Sequence, residues 1–193
     1  MISMYIKTPM TRQSAAQPPA AESPGEARSA GPATAPPAAP PAKAGGGKRI
    51  EVGRSGVHGR GVFSVVALKK NETVMEYKGE VISWKEALRR HPHDPSNPDH
   101  TFYFHIDDKN VIDGKIGGNI TRGINHACTP NCEAEEIDGR IFIRTLRAIK
   151  PGTELSFDYG LTIDERYTPA LKKRFECRCG TKGCRGTMLA RRR

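Results

Sequence analysis

The chain has 193 residues, room for one ordinary domain with tails and too little for a large multidomain enzyme. It holds no run of about 18 apolar residues, which excludes a helical membrane span. Its first residues lack the basic start and apolar core of a secretory signal, so an exported protein is not expected. The net charge of +10 reads at first as a nucleic-acid signature, but its distribution is uneven. Residues 1–48 carry five basic and two acidic residues, residues 49–163 carry 16 of each sign, and residues 164–193 carry ten basic and three acidic. The middle is neutral and the positive field sits at the two ends.

Taken in chain order, residues 1–48 are Ala-, Pro-, Ser- and Gly-rich with almost no branched aliphatic residue from Pro9 to Gly47. Such a segment buries too little apolar area to offset the entropy of ordering it, and a disordered tail is expected. Composition changes at Arg49, where short β-rich segments begin. Strands are expected at 49–52, 61–67, 72–82, 101–106 and 110–113. Two more, 132–137 and 140–147, flank Asp138-Gly139, a strong two-residue hairpin signal. A last strand, 154–159, follows the turn residues Pro151-Gly152. Between them, Ser83-Trp84-Lys85-Glu86 has the form of a capping box opening a helix to about Arg90. Residues 91–100 hold three prolines and read as an exposed loop. A short helix is expected from Thr168-Pro169, with Leu171 and Phe175 on one face. The fold class is mostly β with short helices.

Five cysteines, an odd number, argue against a disulfide framework and for metal ligands or free thiols. Cys177, Cys179 and Cys184 form C-x-C-x4-C with Gly180 and Gly183 among them, so three thiolates can converge on one ion. A structural zinc site wants four ligands. The segment has no histidine, so the fourth must come from elsewhere, with Cys128 and Cys132 as candidates.

Residues 119–131 read NITRGINHACTPN, too polar for a core strand. Upstream lies Gly59-Arg60-Gly61-Val62-Phe63; downstream lie Glu154-Leu155-Ser156-Phe157-Asp158-Tyr159-Gly160 and the cysteine trio. These four elements, in this order, resemble the SET-domain protein lysine methyltransferases with their post-SET zinc module. The resemblance covers residues 49–190. It implies the SET fold, small curved β-sheets around a pseudoknot; after the tail at 1–48 that composition predicts, the SET domain is expected at 49–163 and the zinc-binding post-SET segment with its basic end at 164–193.

Lysine methylation displaces a methyl from S-adenosylmethionine (AdoMet), and only about one lysine in 10³ is neutral at pH 7. The enzyme must favour the neutral amine and align it. The resemblance implies that Gly59, Arg60 and Gly61 form the loop that holds AdoMet. Asn125 and His126 contact its amino-acid and adenine ends, with Arg122 and Asn119 as flanking positions. Tyr159 is the implied active-site tyrosine, which orients amine and methyl. Phe157 occupies the phenylalanine/tyrosine switch position, which implies room for di- and trimethyl products. Cys128 is implied as the fourth zinc ligand with Cys177, Cys179 and Cys184, leaving Cys132 spare. Two departures stand out. Ala127 replaces a serine common in relatives, and the lysine-channel tyrosine falls on Phe102, next to Tyr103. Neighbouring strand residues face opposite sides, so either Tyr103 lines the channel, the expectation favoured here, or Phe102 does so without a hydroxyl. Tyr77 matches a family tyrosine near cofactor or peptide.

The function implied is AdoMet-dependent protein-lysine N-methyltransferase, acting on a peptide segment of a histone, histone-like or ribosomal protein. A non-catalytic peptide- or nucleic-acid-binding module is the alternative, and a plain DNA-binding protein with a zinc knob leaves the central motifs unexplained. The basic C-terminus is expected to make non-specific DNA contact, and no membrane is expected as a partner. The Ala/Pro/Arg-rich leader and small size have a bacterial look, which would place the protein in the cytoplasm, or in a host nucleus after delivery.

Overall fold

The computed structural model describes residues 48–91, 100–163 and 165–191. The tail expected to be disordered, up to residue 47, and residues 92–99 of the expected loop lie outside the described residues, as do Asp164, Arg192 and Arg193.

The first two strands, β1 (Ile50–Arg54) and β2 (Arg60–Ser64), form an antiparallel pair with Ile50 opposite Ser64. The single strand expected over 72–82 is two, β3 (Thr73–Tyr77) and β4 (Glu80–Ser83). They part at Lys78-Gly79 because the chain there runs against another backbone: a Cβ on Gly79 would sit 2.5 Å from the Asp113 carbonyl oxygen. Helix α1 (Trp84–Arg90) starts where the Ser83 hydroxyl accepts the Glu86 N–H. The reciprocal half of the capping box is not made. Glu86 instead binds Arg89 and Arg90, and their hydrogen bonds hold its carboxyl down to about 2. Arg90 also reaches Glu80 and the buried Asp113, tying α1 to the sheet beneath it.

That sheet is antiparallel, β4 and β5 (Tyr103–His105) flanking β6 (Asn110–Asp113). A 3-10 turn, Ile120–Gly123, capped by Asn119, leads into the two-residue β7 (Asn125–His126). Strands β8 (Cys132–Ile137) and β9 (Arg140–Thr145) form the expected hairpin. Asp138 and Gly139 both take positive φ, at 51° and 74°, as the two-residue turn between twisted strands requires. Strand β3 pairs with the other edge of β9, so Ile141, Phe142 and Ile143 are all buried in the central strand. Strand β10 is only Ser156–Phe157 and pairs in parallel with β7. Helix α2 (Pro169–Arg174) is capped by Thr168 and buries Leu171, with Phe175 just beyond its end, as the spacing predicts.

The described residues fall in one compact unit. The main core includes Val62, Tyr77, Phe104, Ile124, Ile141, Leu155, Phe157 and Leu161, and takes in Leu171, Phe175 and Leu189 from the C-terminal segment. A second cluster under α1 holds Ile82, Ala87, Tyr103 and Val111. Ten strands and two short helices among the described residues make the protein mostly β, and no described helix is long and apolar enough to cross a membrane.

Candidate active site

The site forms where two chain segments cross. In the parallel pair, Asn125 lies opposite Ser156 and His126 opposite Phe157, with the whole β8–β9 hairpin between them in sequence. Two residue pairs are a weak ladder, and side chains complete it. Buried Asn131 donates to the Glu154 carbonyl and accepts the Ser156 N–H, both at 2.8 Å. The Ala127 N–H donates to the Phe157 carbonyl, and the Leu155 N–H to that of Val62.

Asn125 is the polar centre of the crossing. Its Nδ2 faces the Arg60 carbonyl at 3.0 Å, the His58 carbonyl at 3.4 Å and Glu154 Oε1 at 2.8 Å. Three acceptors fix which end of the carboxamide is nitrogen. The Ser55 hydroxyl holds the same Glu154 carboxylate at 2.8 and 3.0 Å. Gly61 makes the arrangement possible, because a Cβ there would lie 2.1 Å from Glu154 Oε1 and 3.1 Å from Asn125 Nδ2. The main chain of the Gly59–Gly61 loop thus meets Asn125, while the Arg60 side chain is exposed.

An aromatic run leads from this point. Phe157 and Tyr159 ring centroids are 5.0 Å apart, Tyr159 and His126 5.3 Å, Phe104 and Phe157 6.1 Å, and Tyr77 and Phe104 5.1 Å. The Tyr159 hydroxyl donates to the Ile124 carbonyl at 2.7 Å. Burial, and then the charge of Glu154, push its phenol well above the ordinary value, so it is a neutral donor. Tyr77, raised chiefly by burial, donates to the Phe102 carbonyl at 3.0 Å.

Tyr103 corrects the sequence-based expectation. It faces the opposite side of its sheet, in the cluster under α1, where its hydroxyl donates to the Ala87 carbonyl at 3.1 Å. Phe104 and Phe102 take the other face by strand alternation; Phe104 packs in the main core, and Phe102 lies 5.5 Å beneath the Arg122 guanidinium. Arg122 donates to the carbonyls of Gly114 and Lys115, on the Phe102 side of the site. Asn119 caps the 3-10 turn and donates to the Glu76 carbonyl.

His126 joins the aromatic run to the cysteines. Its Nδ1 accepts the Tyr159 N–H at 3.1 Å, which leaves the proton on Nε2, 3.4 Å from Cys128 Sγ. Burial pushes its pKa down to about 4, against the pull of Asp158. Asp158 is lowered: burial opposes its ionisation, but the Arg185 hydrogen bonds and the Gly160 N–H outweigh that.

The sulfurs of Cys128, Cys177, Cys179 and Cys184 all lie within 4.8 Å of one another. Cys128 is 3.6 Å from Cys177 and 4.0 Å from Cys184, close to the separation of about 3.8 Å that tetrahedral Zn–S bonds of about 2.3 Å impose. Main-chain N–H groups of Arg185, Cys179 and Gly186 point at three of these sulfurs, as thiolate ligands require. The donor set therefore fits a closed metal site. Cys132 is fully buried in the main core, with its thiol pushed up by burial to about 12.

Sequence reasoning assigned no role to four residues that build this site. Glu154 and Asn131 stand inside the quoted strings, but nothing local marks them as partners of Asn125 and β10. Ser55 and Arg185 carry no signal, since their partners lie 99 and 27 residues away.

Comparison with known proteins agrees with this geometry. The SET domain matches residues 59–160, just over half of the chain. The histone-lysine N-methyltransferase trithorax of Drosophila virilis is 36% identical over 140 residues, covering 70% of this chain and 4% of that protein. An H3 lysine-4 specific histone-lysine N-methyltransferase of Emericella nidulans is 38% identical over 144 residues, covering 72% and 12%. The chain thus spans only a small part of the curated relatives it matches. Among solved structures, a chain of ctPRC2 in an autoinhibited conformation bound to S-adenosylmethionine is similar with a TM-score of 0.54 and 31% identity, covering 58% of this chain and 15% of that one. The match runs from the glycine loop under Asn125 to the glycine that follows Tyr159, enclosing both strands of the crossing: this chain belongs to the SET domain family.

Proposed function

We propose that the chain is an AdoMet-dependent protein-lysine N-methyltransferase. The observation that carries this is the parallel pairing of Asn125-His126 with Ser156-Phe157, which gathers one carboxamide, one neutral imidazole and the Tyr159 phenol at a single point. The relatives, named as histone-lysine N-methyltransferases, support a histone tail as the substrate segment.

AdoMet supplies an electrophilic methyl on a sulfonium; the lysine ε-amine forms the new C–N bond, the C–S pair returns to sulfur, and the nitrogen loses a proton. The chain's part is placement. Asn125 Nδ2 is committed to His58, Arg60 and Glu154, so its Oδ1 is the end left to accept from the ammonium of AdoMet. The Gly59–Gly61 loop gives close main-chain approach, with Arg60 at its edge and Arg122 on the peptide side over Phe102. The Tyr159 oxygen, neutral and fixed by Ile124, orients the amine lone pair. Tyr77, Phe104 and Phe157 surround it with low-dielectric walls, which favour the uncharged amine. A phenyl at Phe157 leaves room that a phenol would fill, so di- and trimethyl-lysine are accessible products.

Cys128, Cys177, Cys179 and Cys184 hold a structural zinc ion in this reading, closing residues 164–193 over the domain of residues 49–163. The basic excess of that segment favours a sequence-independent contact with nucleic-acid phosphates. In this reading the protein works in the cytoplasm if it is bacterial, and in a host nucleus if it is delivered there. The test is transfer of labelled methyl from AdoMet to core histones or to proteins of a matched lysate. Wild type should label a lysine, and Tyr159→Phe and His126→Ala should each lose about 100-fold. No transfer above those variants would refute the assignment.

A further inference from the structure

The C-terminal segment meets the site through one residue that belongs to neither the aromatic run nor the cysteine cluster. Arg185 lies between Cys184 and Gly186. Its main-chain N–H donates to Cys128 Sγ at 3.3 Å. Its guanidinium forks onto Asp158, with Nη1 to Oδ2 at 2.5 Å and Nη2 to Oδ1 at 2.8 Å. The Arg185 side chain is 13% exposed, and among the described residues its buried Nε has no partner. Among the described residues the guanidinium's hydrogen bonds go to Asp158 alone.

Asp158 stands between Phe157 and Tyr159. Its Oδ1 also accepts the Gly160 N–H at 3.0 Å and lies 3.5 Å from His126 Nδ1, the atom that accepts the Tyr159 N–H. Arg185 is thus bound at its backbone to the metal-ligand cluster and at its side chain to the turn that aims Tyr159. Resting on the function proposed above, we infer that Arg185 is a positioning residue: it couples closure of the cysteine cluster to the placement of Tyr159 and His126. The coupling needs the planar fork. A lysine at this position would keep the charge but present a single rotatable donor head to the two carboxylate oxygens. Because Asp158 is 38% exposed, solvent screens the pair and the effect is moderate rather than absolute.

The experiment uses the full zinc-loaded chain with Arg185→Met, Asp158→Asn, the double variant and Arg185→Lys. Four readouts are taken: zinc content, zinc release to a chelator, AdoMet Kd, and kcat on a histone peptide. Each single variant should keep one zinc per chain yet lower both AdoMet affinity and kcat about tenfold, while releasing zinc several-fold faster. The double variant should be no worse than the worse single, since both remove one interaction, and Arg185→Lys should recover little. Losses that multiply in the double variant would overturn the coupling, as would Arg185→Met with wild-type Kd and kcat. Should the wild type transfer no methyl, the functional assignment falls by itself. The coupling is then judged from zinc release: equal rates in wild type and single variants would overturn it, and acceleration shared by the singles and not increased in the double would uphold it.

Discussion

The sheet β3–β9–β8 and the crossing of β7 with β10 hold together by different means. In the sheet, six consecutive residue pairs join β8 to β9 and β3 adds a second ladder, over a central strand whose Ile141 and Ile143 are fully buried. The crossing has two residue pairs. The rest of its geometry is set by Asn131 on β10, Asn125 on Glu154, Tyr159 on Ile124 and Arg185 on Asp158. Backbone ladders tolerate many sequences of the right burial pattern, whereas a joint made of particular side chains fails when one of them changes. Substitutions at the crossing should therefore cost function at nearly constant fold, and those in the frame should cost stability at constant function.

The largest break in that contrast is expected from Cys128→Ser, which removes the thiol that joins the C-terminal cysteines to the loop after β7. Zinc content should fall well below one per chain and methyl transfer should drop about 100-fold or more, with new protease cleavage after Leu161. Retention of both metal and activity would show that Cys128 is not the fourth ligand of the cluster. Next comes Gly61→Ala. Its Cβ would lie 2.1 Å from Glu154 Oε1, displacing the carboxylate from Asn125, and AdoMet affinity measured by calorimetry should fall about tenfold. Phe157→Tyr should leave the first methylation within about threefold while mass spectrometry shows product shifted to monomethyl-lysine; an unchanged methyl distribution would remove Phe157 from product control. The smallest effect belongs to the other three-stranded sheet, β4–β6–β5, which is also held by backbone ladders. Tyr103→Phe deletes one hydrogen bond to a carbonyl that His91 N–H also satisfies. It should cost about 1 kcal/mol in chemical denaturation and nothing in methyl transfer. A loss of activity there would return Tyr103 to the substrate channel.

What was legible in the sequence were features whose physics is local. The Ser83 and Thr168 caps, the Asp138-Gly139 turn and the cysteine trio each depend on residues within a few positions. Features that depend on distant chain were not. The break at Gly79 comes from the backbone of Asp113. Strand β7 exists because β10 lies beside it, although its own residues are polar. The choice between Phe102 and Tyr103 turned on a one-residue count, and a shift of one residue reverses the face of every strand side chain. Cys128 and Cys132 are four residues apart, yet one lies in the loop before β8 and joins the cluster, while the other begins β8 and points into the main core. The shared motifs brought these positions to notice, but the partnership of Arg185 with Asp158 needed coordinates.

The wide spacing of the partners at the crossing also bears on how the protein comes into being. Ser55 meets Glu154 across 99 residues and Cys128 meets Cys184 across 56, while the β8–β9 hairpin closes within a dozen or so residues of chain. Long closures form slowly because their entropy is lost before contacts return it. On the ribosome, the hairpin frame can assemble while the reactive pocket has no walls. The site becomes complete only when the stretch from Cys177 to Leu189 has emerged, so a newly made chain is a scaffold well before its crossing is closed.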